Sequence, residues 1–434
     1  MRPARRAALL VLLAPALACA GDRVFECSED EQCVLGGVAG RCEPSGYCSL
    51  PDGSCPDGFR YVEEAPDSLA GTCVGEVIGG CTEDPCEGCA LAVAAGASHS
   101  CAILAPGTVH CWGENGDLQL GSSGGSSAAP RPVEGVTGAV ELAAGDRHTC
   151  ATLVDSGAVV CWGANDRGQL GTGTTGASAL PGDPVVDSEL ARSLTAGGAH
   201  SCAIDDDTNV WCWGDNQFGQ VSADAADIAA FPEDSLTFFD SAVLVAAGGR
   251  HSAAVIDDDS VTTWGEESSP ALGRGDPAPS DPYSIVVDAF DARGSISAGA
   301  EHTCAVGTDR GVRCWGTAGD GRLGLEGGDR YSPADIGLDA DQVRAGGRHT
   351  CALDGDALRC WGANDAGQLG ADGASGPDPR EVAGSWLAVA SGGEHTCAIA
   401  GDRTVRCWGD NGAGQLGREG DGSSDPSTVA LPCP

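Results

Sequence analysis

The chain contains no lysine: its 24 basic residues are all arginine and stand against 63 acidic ones, for a formal net charge of −39. A field of that sign and size repels phosphate backbones and anionic lipid surfaces, which argues against nucleic-acid binding and electrostatic membrane attachment. The uniform use of arginine reads as the codon bias of a GC-rich genome. Long apolar runs are also missing. Ala7–Ala18 is too short to cross a bilayer, and no later run approaches that length. There is no Gly-x-Ser-x-Gly elbow, no His-Glu-x-x-His and no recognisable Ser-His-Asp set. The expectation is therefore a protein that is not an enzyme and carries no cofactor and no metal.

What the chain has instead is repetition. One phrase recurs seven times, as AGASHSCAI…VHCWG at Ala95, AGDRHTCAT…VVCWG at Ala144 and, in the last copy, SGGEHTCAI…VRCWG at Ser391. Its marker histidines are His99, His148, His200, His251, His302, His349 and His395, spaced 46 to 52 residues apart. A period of that length marks one supersecondary unit stacked on copies of itself. Within the second unit Val140–Ala144, Thr149–Leu153 and Ala158–Trp162 read as strands separated by tight turns. The loop Ala164–Gly171 follows, and a Pro-Val stretch near Pro132 or Pro184 supplies a fourth strand. Four short strands with glycines at the corners make a propeller blade. The Ala-Ala-Gly segment suits a crowded inner wall. One tryptophan per unit, from Trp112 to Trp408, suits packing between blades.

The pattern AGxxHT(C/A)AL…V.CWGxNxxGQLG, with close copies ANDRGQLG after Trp162 and ANDAGQLG after Trp361, resembles the regulator of chromosome condensation repeat family over about 345 residues. The resemblance implies an all-β fold, a closed seven-bladed propeller of four-stranded antiparallel blades. It also implies protein binding by loops on one face. The two cysteines in most repeats depart from the family pattern.

The N-terminus reads as an export signal. Arg2, Arg5 and Arg6 precede the apolar run, which ends at Leu17-Ala18-Cys19, a sequence resembling the bacterial lipobox. Cleavage before Cys19 would leave a cysteine for acylation, and two or more acyl chains give stable anchoring. The expected organisation is a lipoprotein signal peptide at 1–18, a lipidated linker at 19–26, a cysteine-rich module at 27–74, a linker with a cysteine cluster at 75–89 and the propeller at 90–434. The expected location is the bacterial cell envelope, at the outer membrane or its periplasmic face, held only by lipid on Cys19.

Twenty-three cysteines in an exported chain read as a disulfide framework. Twelve form repeat pairs: Cys101 with Cys111, Cys150 with Cys161, Cys202 with Cys212, Cys304 with Cys314, Cys351 with Cys360 and Cys397 with Cys407. Each pair falls on adjacent antiparallel strands, and the fourth repeat lacks both members, having Ala253 and Thr263. Cys27, Cys33, Cys42, Cys48, Cys55 and Cys73 lie in a segment with too little apolar content for a core, and their connectivity is open. Cys81, Cys86, Cys89 and Cys433 match the spacing of a plant-type ferredoxin. Export argues against a cluster, and the repeat register places Cys433 near Cys86 or Cys89 as a latch across the ring closure.

The remaining candidates are polar or aromatic. The repeated histidines suit a structural role, each bonding the backbone of its own turn. His110 reads as an exposed strand position. Asp205–Asp207 and Asp257–Asp259 carry oxygens that calcium would accept, but their spacing matches no calcium loop and aspartate favours turns. Four of the seven phenylalanines, Phe218, Phe231, Phe238 and Phe239, fall in the connection after the third repeat tryptophan. Aromatics on loops of a rigid scaffold are typical contact residues, so Phe231, Phe238 and Phe239 are the candidate partner-binding residues. The expected function is that of a monomeric, non-catalytic scaffold for an unidentified protein partner. The alternatives are a carbohydrate-binding or structural envelope component and an enzyme with a loop-assembled site.

Overall fold

The computed structural model describes five short strands between 34 and 61, and residues 90–431 apart from 155, 183, 186–191, 223–226, 235–240, 258, 276–283, 286–291 and 293. The chain forms two compact units, Met1–Ile78 and Gly79–Pro434. In the first, Val34–Leu35 pairs with Val38–Ala39. Arg41–Cys42, Cys48–Pro51 and Phe59–Tyr61 form a three-stranded antiparallel sheet whose register sets Cys42 opposite Cys48. The signal segment and Cys19 lie outside the described residues, as do Cys27, Cys33, Cys55, Cys73, Cys81, Cys86, Cys89, Cys433, Phe238 and Phe239.

The second unit is a seven-bladed all-β propeller whose blades are four-stranded antiparallel meanders. Each blade comes from one contiguous stretch of chain. The first runs Ala90–Ala95, His99–Leu104, Thr108–Gly113 and Ser127–Pro132, from the centre outwards. The second runs Ala139–Ala144, His148–Leu153, Val159–Asn165 and Gly176–Ala179. The seventh runs Trp386–Ser391, His395–Ala400, Val405–Gly409 and Ser423–Thr428. Alternating strand direction puts the Gly-x-x-His turns and the loops after the third strand on one face. The hairpins between second and third strands and the connections to the next blade lie on the other.

The outer strand of the second blade ends at Ala179, before Pro184. Proline cannot donate to a ladder, and the backbone is bonded again only at Val185, whose N–H donates to the carbonyl of Val159 at 2.7 Å. Val133 makes the same contact with Val109 at 2.9 Å and Val429 with Val405 at 2.9 Å.

No blade buries its faces alone. One cluster joins Ile103, Val109, Leu120 and Val133 of the first blade to Ala151, Val160 and Trp162 of the second. The ring closes the same way, with Ala102, Leu104 and Trp112 packed on Ile399, Val405, Leu416 and Val429. The seven repeat tryptophans are all essentially inaccessible to solvent, and burial of side chains this large contributes on the order of 2–3 kcal/mol each. At the seam no strand is exchanged between first and last blades. The backbone instead bonds across it, from Ala90 N to Arg403 O and from Gly393 N to Gly96 O, both at 3.0 Å. Ala90 belongs to the seam cluster and Leu431 packs against it.

Six cystines, each with Cα atoms 4.1 Å apart, join the second and third strands of every blade but the fourth. The paired residues are directly opposed in the ladder, as Cys150 is to Cys161. Each closes a loop of 9 to 11 residues, which contributes roughly 2–3 kcal/mol through chain entropy. In the fourth blade Ala253 faces Thr263. The Thr263 hydroxyl donates to Leu272 O at 2.8 Å and accepts from Arg274 Nε at 3.3 Å, so a buried polar network stands where the other blades have sulfur. His110 is buried rather than exposed, and desolvation lowers its pKa. It sits on the third strand, between Ala102 and Pro132, in a sheet covered on both faces.

Candidate functional site

The marker histidines do not bond their own turns. Each Nε2 reaches into the next blade and meets the hydroxyl that follows that blade's own histidine. The contacts run His99–Thr149 at 2.9 Å, His148–Ser201 at 2.7, His200–Ser252 at 2.9 and His251–Thr303 at 2.8. They continue as His302–Thr350, His349–Thr396 and His395–Ser100, all at 2.8 Å, the last closing the circle. The sequence shows the histidines and hydroxyls adjacent. Only the closed ring shows that they bond at a separation of one repeat.

The hydroxyl passes the interaction on. Thr149 donates to Gln119 O at 3.0 Å, Thr350 to Arg322 O at 2.8 and Thr396 to Gln368 O at 2.9. A hydroxyl has one hydrogen, so a hydroxyl that donates to a carbonyl must accept from the imidazole. That places the proton on Nε2. The same carbonyl accepts a second bond from the indole of the blade: Trp162 to Gln119 O at 3.0 Å, Trp361 to Arg322 O at 3.0 and Trp408 to Gln368 O at 3.0. Both lone pairs of one carbonyl per junction are used. The exceptions are Trp264 of the fourth blade, whose Nε1 is buried without a partner, and Ser201 of the third, whose hydroxyl meets His148 and Cys150 Sγ but not Gln169 O.

The loop that presents this carbonyl explains the rest of the repeat motif. Asn165 Oδ1 accepts from Leu170 N at 3.2 Å and Gln169 Oε1 from Arg167 N at 2.8, so the asparagine and glutamine close the loop on itself. Its last glycine packs against the next blade's tryptophan. A Cβ on Gly171, at φ +66°, would lie 2.5 Å from Val185 and 2.9 Å from Trp213. The fourth and fifth blades lack the asparagine and glutamine and use short 3-10 turns at Pro270–Leu272 and Gly319–Gly321 instead.

Burial without charge compensation keeps the histidines neutral. Desolvation drives His99, His200 and His349 down to about 3 and His148, His251 and His395 to about 4, and it holds His302 well below its ordinary value. They are struts, unsuited to proton transfer near neutral pH.

The face carrying these turns is rimmed by arginine–carboxylate pairs. Arg147 bridges Asp117 at 3.0 Å and Asp166 at 3.1 Å. Arg348 reaches Asp320, Asp365 and Glu394 at 3.0 to 3.3 Å. Such exposed pairs contribute about 0–1 kcal/mol each, so their value lies in fixing a charge pattern. Two aromatics stand on the same face. Arg250 stacks over Phe218 with its guanidinium carbon 4.6 Å from the ring centre. Phe231 is 62% exposed, its ring lying against Gly173 of the neighbouring blade, where an added Cβ would approach to 2.1 Å.

Along the axis runs a chamber of about 620 Å³ lined by the innermost strands, with a neck of about 110 Å³ at the glycine turns. Asp146 stands at the neck, where burial raises its pKa to about 6 against the lowering effect of Arg147. Among the described residues, Glu141 and Arg344 are the charged side chains on the chamber wall. The Asp205 carboxylate, weighed above for calcium, accepts from Asn209 N, Asn209 Nδ2 and Trp211 Nε1 at 2.7 to 2.9 Å and serves its own hairpin. No group of three or more metal-capable side chains converges among the described residues.

The RCC1-like domain model matches residues 75–352, and the regulator of chromosome condensation (RCC1) repeat matches 340–368 and 386–415. The chain belongs to the RCC1-like domain family. The E3 ubiquitin-protein ligase HERC2 of Homo sapiens is 30% identical over 247 residues, 54% of this chain but 5% of that protein. The ultraviolet-B receptor UVR8 of Arabidopsis thaliana is 30% identical over 275 residues, 61% of this chain and 62% of the receptor. The chain thus spans less than two thirds of each of these relatives. Among solved structures, the RCC1-like propeller Prp20 of yeast, bound to Kap60, superposes with a TM-score of 0.64 at 20% identity, covering 74% of this chain and 83% of Prp20. Human WBSCR16 gives 0.62 at 21% identity, covering 71% of this chain and 85% of that one. These likenesses show the fold of the RCC1-like propeller.

The histidine struts set a pH dependence. Their folded pKa values lie below the unfolded value of about 6.5, so the unfolded chain binds more protons. The stability they contribute is complete above pH 6.5 and lost as pH falls towards their folded values. Each costs about 1.4 kcal/mol per pH unit in that window. Asp146, raised to about 6, and Glu141 and Asp215, also raised by burial, have the opposite sign but are three groups against seven. Urea midpoints measured from pH 7.5 to 4.5 should fall steeply below pH 6.5; a flat or rising profile would show that the imidazoles do not stay buried and neutral.

Proposed function

We propose that this chain is a non-catalytic, lipid-anchored envelope protein whose propeller is a rigid scaffold gripping a protein partner by the face that carries the Gly-x-x-His turns. The observation that carries the reading is the exposure of Phe231, 62% open to solvent while its ring rests on Gly173 of the neighbouring blade. An aromatic held rigid and left uncovered loses little conformational entropy on binding, which is the property of an interface anchor. The Arg250–Phe218 stack stands on the same face, and the arginine–carboxylate rim would favour one partner over others. Membership of the RCC1-like family supports the reading, since yeast Prp20 is a propeller seen bound to another protein.

A photo-reactive phenylalanine analogue at Phe231 should give one discrete protein adduct in intact cells. The same analogue at Asp356, on the opposite face, should give none, and Arg250→Glu should cut the Phe231 adduct by about tenfold, the effect of a 1.4 kcal/mol contact. Adducts equal from both positions would place binding elsewhere.

The anchoring rests on Leu17-Ala18-Cys19 at the end of the apolar run. Cys19→Ser should move the protein from the membrane pellet to the soluble fraction. Fractionation like the wild type would contradict a lipid anchor at that residue.

A further inference from the structure

The wall of the chamber on the propeller axis carries a cation, Arg344, with no carboxylate within ion-pair distance among the described residues. Eight other arginines sit within ion-pair distance of carboxylates, Arg147, Arg167, Arg250, Arg310, Arg313, Arg322, Arg348 and Arg406, while Arg131, Arg330, Arg359, Arg380, Arg403 and Arg418 stand on other surfaces without such a pair among the described residues. Arg344, on the innermost strand of the sixth blade, has none among the described residues. Its neighbours are neutral oxygens: Val343 O at 2.9 Å, Ser295 Oγ at 3.3 and Gln342 Oε1 at 3.5. These contacts, one of ordinary length and two long, engage three of the five N–H donors of a guanidinium, and the side chain lines the chamber.

The acidic residue on the same wall is committed elsewhere. Glu141, on the second blade, accepts from Ser193 N at 3.3 Å, Leu194 N at 3.2 and the Thr152 hydroxyl at 3.3, bracing the third blade's inner strand. In a chain of 63 acidic and 24 basic residues, Arg344 stands half-buried on the chamber wall with no carboxylate partner among the described residues. Desolvation lowers its pKa. An anion entering the chamber would supply that partner.

We propose that the axial chamber is a binding site for a small amphipathic monocarboxylate, its carboxylate paired with Arg344 and its apolar part against the chamber wall. Three features select that class. The guanidinium fork matches a planar carboxylate with two parallel N–H donors. A single cation within a protein of net charge −39 disfavours a phosphate dianion. The wall mixes serine, threonine and glutamine side chains with aliphatic ones, of which Leu91 and Val140 stand exposed on the same chamber and would meet the apolar part. Its volume of about 620 Å³ lies in the range of small-molecule sites, roughly 300–1,000 Å³.

The carboxylate could be that of a free acid or of a peptide C-terminus, and the probes separate the two. Hexanoate, hexanol and an acetylated apolar tripeptide with a free or an amidated C-terminus would be titrated calorimetrically into the full chain at low salt. Saturable binding is expected for the two carboxylates, and none for hexanol or the amide. A tighter tripeptide would identify a peptide terminus as the source, a tighter hexanoate a free acid. Arg344→Gln should weaken binding at least about tenfold, the loss of one charge-assisted pair, and should change the melting temperature of the unliganded protein little, because the charge it removes is half-buried and has no carboxylate partner among the described residues. Arg344→Lys should retain part of the affinity. If Arg344→Gln does not fold, the wild type still decides: hexanoate should raise its melting temperature and hexanol should not. Absence of saturable carboxylate binding, or equal binding by Arg344→Gln, overturns the proposal.

Discussion

Everything in this propeller depends on one junction repeated around a circle. A buried imidazole donates to a hydroxyl of the next blade, that hydroxyl donates to a loop carbonyl of the imidazole's own blade, and the carbonyl also accepts from the next blade's indole. All four groups would be costly to bury unpaired, about 1–3 kcal/mol each. The junction pairs the imidazole Nε2–H and the other three groups only when two blades stand side by side, although Nδ1 of six of the seven histidines stays buried without a partner, so no blade has a low-energy surface to present alone. Stacked repeats ordinarily make an open row with weaker ends. Here the seventh junction, His395 with Ser100 and Trp112 with Gln415 O, removes the ends.

The cystines act on a different level. They staple hairpins within blades and leave junctions to hydrogen bonds and tryptophan packing. The fourth blade separates the two contributions. It lacks the cystine, the asparagine–glutamine loop and the indole bond, yet His251 still reaches Thr303 at 2.8 Å. The imidazole–hydroxyl bond is thus the part of the junction present at all seven positions, the others being replaceable by a Thr263–Arg274 network or a 3-10 turn.

Much of this was legible in the chain. The period, the tryptophan per unit, the Ala-Ala-Gly inner strands and the joint loss at Ala253 and Thr263 each followed from local pattern, because strand alternation and turn chemistry are local physics. What was not legible was every contact whose partner lies one repeat away. The histidines read as turn braces because sequence offers no distance between His148 and Ser201. His110 read as exposed because alternation assumes a sheet with one wet face, and these sheets are covered on both. Arg344 gave no signal at all, since an arginine on a strand is unremarkable until the absence of a carboxylate around it is seen. The aromatic connection was visible, but only the fold shows that Phe231 rests on the neighbouring blade while open to solvent.

If the junctions form a closed circle, weakening one should weaken all. Native-state hydrogen exchange of the second-strand amides in wild type and Ser100→Ala, which removes the hydroxyl at the seam, tests this directly. A closed cooperative ring predicts one common opening free energy for all seven blades, lowered equally in the variant by about 1–3 kcal/mol. Loss of protection confined to the first and seventh blades, with the others unchanged, would show that each junction stands alone and would contradict the account.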